Sequence, residues 1–328
     1  MTLTEGFDLS GHNTLGLPSR ALYGGVISDI GDIMRMIEFA RARYLPFHVL
    51  GGGSNCVLAE TVNAVVGRID LGGCRIEQGF SGGVRVTASA GEDWSDLVRR
   101  TVGQGIGGLE NLAGIPGTVG AAPIQNIGAY GIELSDVFQE LTALDTRTGD
   151  LVHLGKDACR FAYRHSRFKD EPGRYIVTEV TLSLPRHWRP VLSHAGLKGL
   201  PDASDPGAIM AAVLAIRGAK LPDWRITGNV GSFFHNPIVP AHMRQEVGGV
   251  PGHPVPGGIK LSAGWLIEAC GLKGHRLGGA GFHAKHALVI VNHGGATFGD
   301  VQDLAALAIQ RVRDRFGVTL VQEPVTLT

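Results

Sequence analysis

The sequence predicts an α+β fold divided into three segments, 1–73, 74–205 and 206–328. Three observations carry that prediction. Strand-like and helix-like patterns alternate irregularly, not as a repeated strand–helix–strand series. A glycine-rich stretch from Leu109 to Gly131, nearly free of charge, interrupts the middle of the chain. A short polar stretch bracketed by Pro201 and Pro206 then marks a linker.

The first segment is expected to run strand, helix, strand. Ser28 is the expected cap, Ile30, Ile33, Met34, Ile37 and Ala40 recur at helical spacing, and Pro46 is expected to close the helix. Phe47-His48-Val49-Leu50 is a short buried strand that runs into Gly51-Gly52-Gly53-Ser54-Asn55, and Ala64-Val65-Val66 is another strand. The second segment opens near Gly72-Gly73. There Val84, Val86 and Ala88 alternate, and a capped helix is expected from about Asp93 to Val102. Strands at about 138–145 and 175–184 follow, the second marked by the alternation Ile176, Thr178, Val180, Leu182, Leu184. The third segment holds a helix near 207–217, the stretch Gly231-Ser232-Phe233-Phe234-His235-Asn236-Pro237, a helix from Ser262 closed by Gly271, and a strand at 287–291. A last helix presents Val301, Leu304, Ala305, Ala308 and Val312 on one face, stops at Gly317 and feeds a terminal strand.

Composition narrows the function. Thirty Lys and Arg balance thirty Asp and Glu, so no overall basic field exists to hold nucleic acid or an anionic membrane. Cys56, Cys74, Cys159 and Cys270 form no C-x-x-C pair, which signals neither zinc nor a disulfide framework and suits a reducing cytoplasm. The N-terminus has no secretory pattern, and no apolar run approaches the ~20 residues of a membrane span. Glycine, at 49 of 328 residues, is about twice its usual share. That excess points to tight turns around a polyanionic ligand, or to a loop-rich scaffold with no ligand.

Successive amides in Gly51-Gly52-Gly53-Ser54-Asn55 suit a pyrophosphate, although such turns after strands are common without one. Gly114-Ile115-Pro116-Gly117-Thr118-Val119-Gly120 is a second loop of uncharged residues with the same capacity. The spacing Gly103, Gly105, Gly108 matches G-x-G-x-x-G but follows a helix, so it lacks the strand context of a dinucleotide site. Thirteen histidines include no H-E-x-x-H and no spacing that suits a metal.

Ser232 follows a glycine and precedes two phenylalanines. It suits a proton donor in a dry pocket, with a turn cap as the alternative, and it lacks the G-x-S-x-G elbow of a nucleophile. Arg164 is either a charged clamp on a carboxylate or a surface ion pair. Glu323 is a lone carboxylate in an uncharged strand, with an exposed edge position as the alternative.

Taken together, the chain resembles the UDP-N-acetylenolpyruvoylglucosamine reductase family. The matching stretches run in order from Asn13-Thr14-Leu15-Gly16 through Leu50-Gly51-Gly52-Gly53-Ser54-Asn55, Ala90-Gly91-Glu92-Asp93-Trp94 and Gly108-Leu109-Glu110-Asn111-Leu112-Ala113-Gly114-Ile115-Pro116-Gly117. They continue through Pro123-Ile124-Gln125-Asn126-Ile127-Gly128-Ala129-Tyr130-Gly131, Tyr163-Arg164, the Ser232 stretch, Ala263-Gly264-Trp265-Leu266-Ile267 and Glu323-Pro324.

The resemblance implies a two-lobed FAD-binding fold of the vanillyl-alcohol-oxidase type followed by an α+β substrate-binding domain. It implies that the loops at Gly51, Gly52, Gly53, Ser54, Asn55 and at Gly114, Ile115, Pro116, Gly117, Gly120 hold FAD non-covalently, and that NADPH, the co-substrate, reduces it. The reduced flavin then passes hydride to an enolpyruvyl ether on a UDP-sugar, in cell wall synthesis. By the same resemblance Ser232 protonates C2, Arg164 and Glu323 stabilise the charge left there, and Lys220, Asn236, Tyr163 and His194 meet the substrate. His194 stands where many relatives carry a lid tyrosine. Glu323-Pro324 continues Val325-Thr326-Leu327 where most continue Glu-Val-Arg. Two rivals are an oxygen-using oxidase on the same fold and a catalytically silent sugar-nucleotide or flavin binder. The first glycine loop has no histidine to tether flavin, and Cys56 beside it suits the core better.

Overall fold

The computed structural model describes residues 2–79, 82–201, 205–243 and 248–328. The chain divides into two compact units, one of Met1–Phe7, Ala21–Gly52 and Asn63–Arg217, the other of Asp8–Arg20, Gly53–Val62 and Gly218–Thr328. The helix Pro206–Lys220 therefore groups with the first unit up to Arg217. Residues 202–204 of the expected linker lie outside the described residues.

The first unit contains two larger sheets. A four-stranded sheet has the order Thr4–Asp8, Arg20–Ile27, Thr61–Ile69, Phe47–Leu50, and its last two strands are parallel with Phe47 opposite Val65 and Leu50 opposite Arg68. The helix Ile30–Ala42 buries Ile33, Met36, Ile37 and Ala40 in one cluster with Val65 and Ile69; of the expected face, Ile30 is instead exposed and Met34 only packs against the cluster edge, while Met36 takes a core place. Its cap is Asp29 and not Ser28. The Asp29 carboxylate accepts from Asp32 N at 2.8 Å while Asp32 accepts from the Asp29 and Ser28 amides, a reciprocal box that one serine hydroxyl cannot replace. The helix ends before Pro46, because Tyr44 turns left-handed at φ 57° just beyond the Arg43 cap.

The second sheet is antiparallel, in the order Leu151–Gly155, Phe138–Asp145, Tyr175–Leu184, Val84–Ser89, Cys74–Gln78. Val180 and Leu182 are buried in it, so the sequence alternation did place the strand. Asp93 caps the helix Trp94–Gly103 by accepting from Asp96 N at 2.9 Å, and Trp94 enters the core with its Nε1 donating to Leu112 O at 3.1 Å.

The second unit is built on a four-stranded sheet of order Asn229–Ser232, Val289–Asn292, Ala280–Phe282, Arg276–Leu277. The helices Ala263–Ala269 and Phe298–Phe316 cover its core, capped by Ser262 and Thr297, and Gly317 ends the latter at φ 65°. Leu15, Leu17 and Val57 join this core. That is why short N-terminal pieces belong to a unit made mostly from residues beyond 217. Buried Asn13 holds the first piece in shape, accepting from Leu17 N at 2.9 Å and donating to Leu17 O at 2.9 Å and Leu9 O at 3.1 Å. The terminal strand Val325–Leu327 runs parallel to Cys56–Leu58, with Val325 opposite Cys56.

Candidate functional site

The strand Phe47–Leu50 delivers the first glycine loop against the second. A methyl group on Gly52 would stand 3.0 Å from the Gly117 Cα, and one on Gly51 would stand 2.6 Å from Thr118 Oγ1. Gly117, at φ 122°, and Gly114, at φ 71°, adopt conformations that favour glycine. The second loop hangs on the Ala90–Ser95 segment through Gly120 N to Ala90 O at 3.0 Å, Val119 N to Glu92 O at 2.9 Å, and Trp94 N to Gly117 O at 3.0 Å.

Those bonds leave the N–H groups of Gly52, Ile115 and Gly117 with no acceptor among the described residues. Thr118 Oγ1 is also buried with no hydrogen-bond partner among them. Backbone donors and an orphaned hydroxyl without a competing carboxylate are the donor set of an anion cradle.

Two residues given no role from the sequence lie near that loop. A methyl group on Gly114 would meet Arg217 Nε at 3.1 Å, so the half-buried Arg217 adds positive charge there. Burial pulls the Arg217 pKa below the ordinary guanidinium value, opposed by nearby Tyr130. Tyr130 holds φ 51°, has its pKa raised by burial against the pull of Arg217, and meets His194 edge to face at 4.7 Å. Tyr130 stands in the sequence only within a family-matching stretch, and nothing there distinguishes Arg217 from other helical arginines.

Arg164 also has a left-handed backbone, at φ 49°. Its Nη2 donates to Gly128 O at 2.8 Å, its own carbonyl accepts from Lys169 Nζ at 3.0 Å, and the guanidinium sits 5.4 Å from the Tyr163 ring centre. His194 accepts from Gly196 N at Nδ1, at 3.1 Å. Gly51, Gly52, the second loop, Tyr163, Arg164 and His194 all belong to the first unit. Gly53, Ser54, Asn55, Lys220, Ser232, Asn236 and Glu323 belong to the second.

Within the second unit, Ser232 ends a strand whose register against Val289–Asn292 is irregular between Asn229 and Ser232. Gly231 takes φ 70° at that irregularity and donates to Asn229 Oδ1 at 3.0 Å. The glycine is required for its backbone, since a side chain there would meet open space. Phe233 and Phe234 are both fully buried, edge to face at 5.2 Å, and anchor the serine's strand in the core. Asn236 Oδ1 accepts from Ala263 N at 3.0 Å, which leaves its Nδ2 donors without a partner among the described residues.

Phe234 bridges Gln322, and Glu323 N donates to Phe233 O at 2.9 Å, so the C-terminal segment lies beside the Ser232 stretch. The Glu323 side chain is only 11% exposed, with His235 Nδ1 3.5 Å from its Oε2, which overturns the exposed-edge alternative. Asn55, ending the first glycine loop, accepts from Val325 N at 2.9 Å and donates to Glu323 O at 3.5 Å. Lys220 is exposed at the end of its helix and belongs to a cationic neighbourhood with His286, whose pKa is lowered by burial, then by His283, Lys220 and Lys273. An open pocket of about 410 Å³ lined by Ser28, Asp29, Ser89 and Thr178 includes none of the catalytic, cofactor-binding or substrate-binding residues expected from the sequence.

Residues 26–155 match the family model described as FAD binding domain, and residues 223–327 match that of UDP-N-acetylenolpyruvoylglucosamine reductase, C-terminal domain. The UDP-N-acetylenolpyruvoylglucosamine reductase of Bordetella pertussis is 47% identical over 332 residues, covering 98% of this chain and 94% of that protein. The one from Pseudomonas aeruginosa is 45% identical over 337 residues, covering 99% and 98%. The crystal structure of the reductase from Thermus caldophilus matches with a TM-score of 0.70 at 26% identity, covering 100% of this chain and 98% of that one.

Proposed function

The chain belongs to the UDP-N-acetylenolpyruvoylglucosamine reductase family, FAD-binding oxidoreductases of peptidoglycan precursor synthesis, and on that footing we propose that it binds FAD non-covalently and uses NADPH to make UDP-N-acetylmuramate. The observation that carries the cofactor assignment is the contact of Gly52 with Gly117 beside the orphaned Thr118 hydroxyl. That cradle fits a diphosphate. Gly51, Gly52, Gly53, Ser54 and Asn55 with Gly114, Ile115, Pro116, Gly117 and Gly120 would hold it, and bound FAD supplies hydride chemistry.

The remaining work falls to this chain's side chains. Hydride arriving at C3 of the enolpyruvyl ether leaves negative charge at C2 and its carboxylate, which requires positive charge and directed hydrogen bonds. Arg164 supplies the permanent charge. Glu323 helps an anion only while it carries or relays a proton, and its side chain is largely shielded from solvent. Ser232 protonates C2, a task open to so weak an acid because the carbanionic centre is strongly basic. Lys220 and the spare Nδ2 donors of Asn236 hold the substrate diphosphate, and Tyr163 and His194 meet the substrate. Segments 1–73 and 74–205 serve the flavin and 206–328 the substrate. Among the described residues no helix is long and apolar enough to cross a membrane, and the four cysteines are free, which supports action in a reducing cytoplasm.

Anaerobic mixing with NADPH tests the whole assignment. The flavin band bleaches with NADPH and returns when the enolpyruvyl sugar nucleotide is added. A protein unable to take up FAD, or a reduced flavin that only oxygen reoxidises, would overturn it.

A further inference from the structure

His235 and Glu323 sit on either side of the Phe234–Gln322 bridge. His235 N donates to Val321 O at 2.9 Å and Glu323 N to Phe233 O at 2.9 Å, so His235 and Glu323 are diagonal cross-strand neighbours. Side chains that stand diagonally on one face of paired strands reach each other when both are long or aromatic. Here the imidazole Nδ1 lies 3.5 Å from the carboxyl Oε2. The two groups differ in access to water, with the carboxyl 11% exposed and the imidazole 23%.

That gradient matters because a solvent-shielded acid that gives up or relays a proton in each turnover must regain one. We propose that His235 is the positioning residue through which Glu323 is reprotonated, an inference that rests on the role of Glu323 given above. The step moves one proton. With the 3.5 Å gap spanned by one water or closed to hydrogen-bonding distance, the imidazolium Nδ1–H bond breaks, the Glu323 Oε2–H bond forms, and the neutral imidazole takes up a proton from hydronium or a buffer acid in bulk solvent. No electrons are transferred. Imidazole suits this step because it alone among ordinary side chains exchanges its proton readily near neutrality. Fixed by the backbone bridge, the ring also holds the carboxyl in one orientation.

The test uses the FAD-loaded enzyme and follows each half-reaction separately, with His235→Ala and His235→Asn measured alongside Glu323→Gln. The expected result for His235→Ala is flavin reoxidation by the enolpyruvyl substrate slowed by about ten- to a hundredfold, with substrate KM and flavin reduction by NADPH unchanged. Added imidazole restores part of the rate. His235→Asn, which keeps a polar group of similar reach without a transferable proton, retains FAD but stays slow until imidazole is added. Unchanged reoxidation in both variants, equal slowing of both half-reactions, or no response to imidazole would overturn the relay. If Glu323→Gln itself reoxidises at the parental rate, the underlying role of Glu323 fails; a slow Glu323→Gln beside a fast His235→Ala removes only the relay.

Discussion

Gly52 lies against Gly117 with their backbones in contact, since a single methyl group on Gly52 would stand 3.0 Å from the Gly117 Cα. Two glycines far apart in sequence thus meet backbone to backbone: a side chain on Gly52 would press on Gly117, and Gly117 holds a φ of 122° that favours glycine.

Gly52→Val is therefore expected to lose FAD. Overpacking of this kind costs about 1–3 kcal/mol, and at this position the strain falls on the cradle. The purified variant should be colourless, with circular dichroism close to the parent's. A yellow Gly52→Val with parental FAD affinity would show that the contact is not the cofactor cradle.

Thr118→Val separates ligand binding from folding. The hydroxyl has no partner among the described residues, so removing it should leave the flavin-free protein as stable or more stable. The same change should weaken FAD by roughly tenfold, the equivalent of one hydrogen bond of about 1.4 kcal/mol. Calorimetric melting of the flavin-free protein and titration with FAD would detect the opposite signs.

Ser232→Ala should reduce normally with NADPH but reoxidise with the enolpyruvyl substrate about 10²- to 10⁴-fold more slowly, the range for loss of a positioned acid. Stopped-flow absorbance resolves the two steps. Parental reoxidation would return Ser232 to the turn-cap alternative.

Asp300 ties the last helix to the sheet of the second unit. Its Oδ2 accepts from Thr297 N at 3.0 Å and from Gly279 N at 3.1 Å, and the Thr297 bond first, then the Gly279 bond, hold its pKa below the ordinary carboxylate value. A depressed carboxylate contributes stability that is present above its unfolded pKa and is lost as pH falls through its lower folded pKa. The thermal midpoint should therefore drop on acidification below the usual carboxylate range near ~4. Asp300→Asn should melt lower at neutral pH and lose less on acidification than the parent, as scanning calorimetry across that range would show.

The sequence by itself determined the local elements and the chemistry on offer. Helical spacing from Ile30 to Ala40 and from Val301 to Val312, the alternation from Ile176 to Leu184, and the stops at Gly271 and Gly317 are short-range patterns, fixed by backbone geometry within a few residues. Even there the cap went to Asp29 over Ser28, because a reciprocal box satisfies more amides than one hydroxyl. Ser232 after a glycine and the two glycine loops were legible for the same reason. Only the tertiary structure decided that Gly52 meets Gly117, that Val325–Leu327 pairs with Cys56–Leu58, that Arg217 flanks Gly114, and that a largely shielded Glu323 lies beside His235. Those relationships join residues far apart in the chain, where no periodicity records which partner a side chain will find. Core packing and strand register choose the partner, and they exist only once the chain has folded.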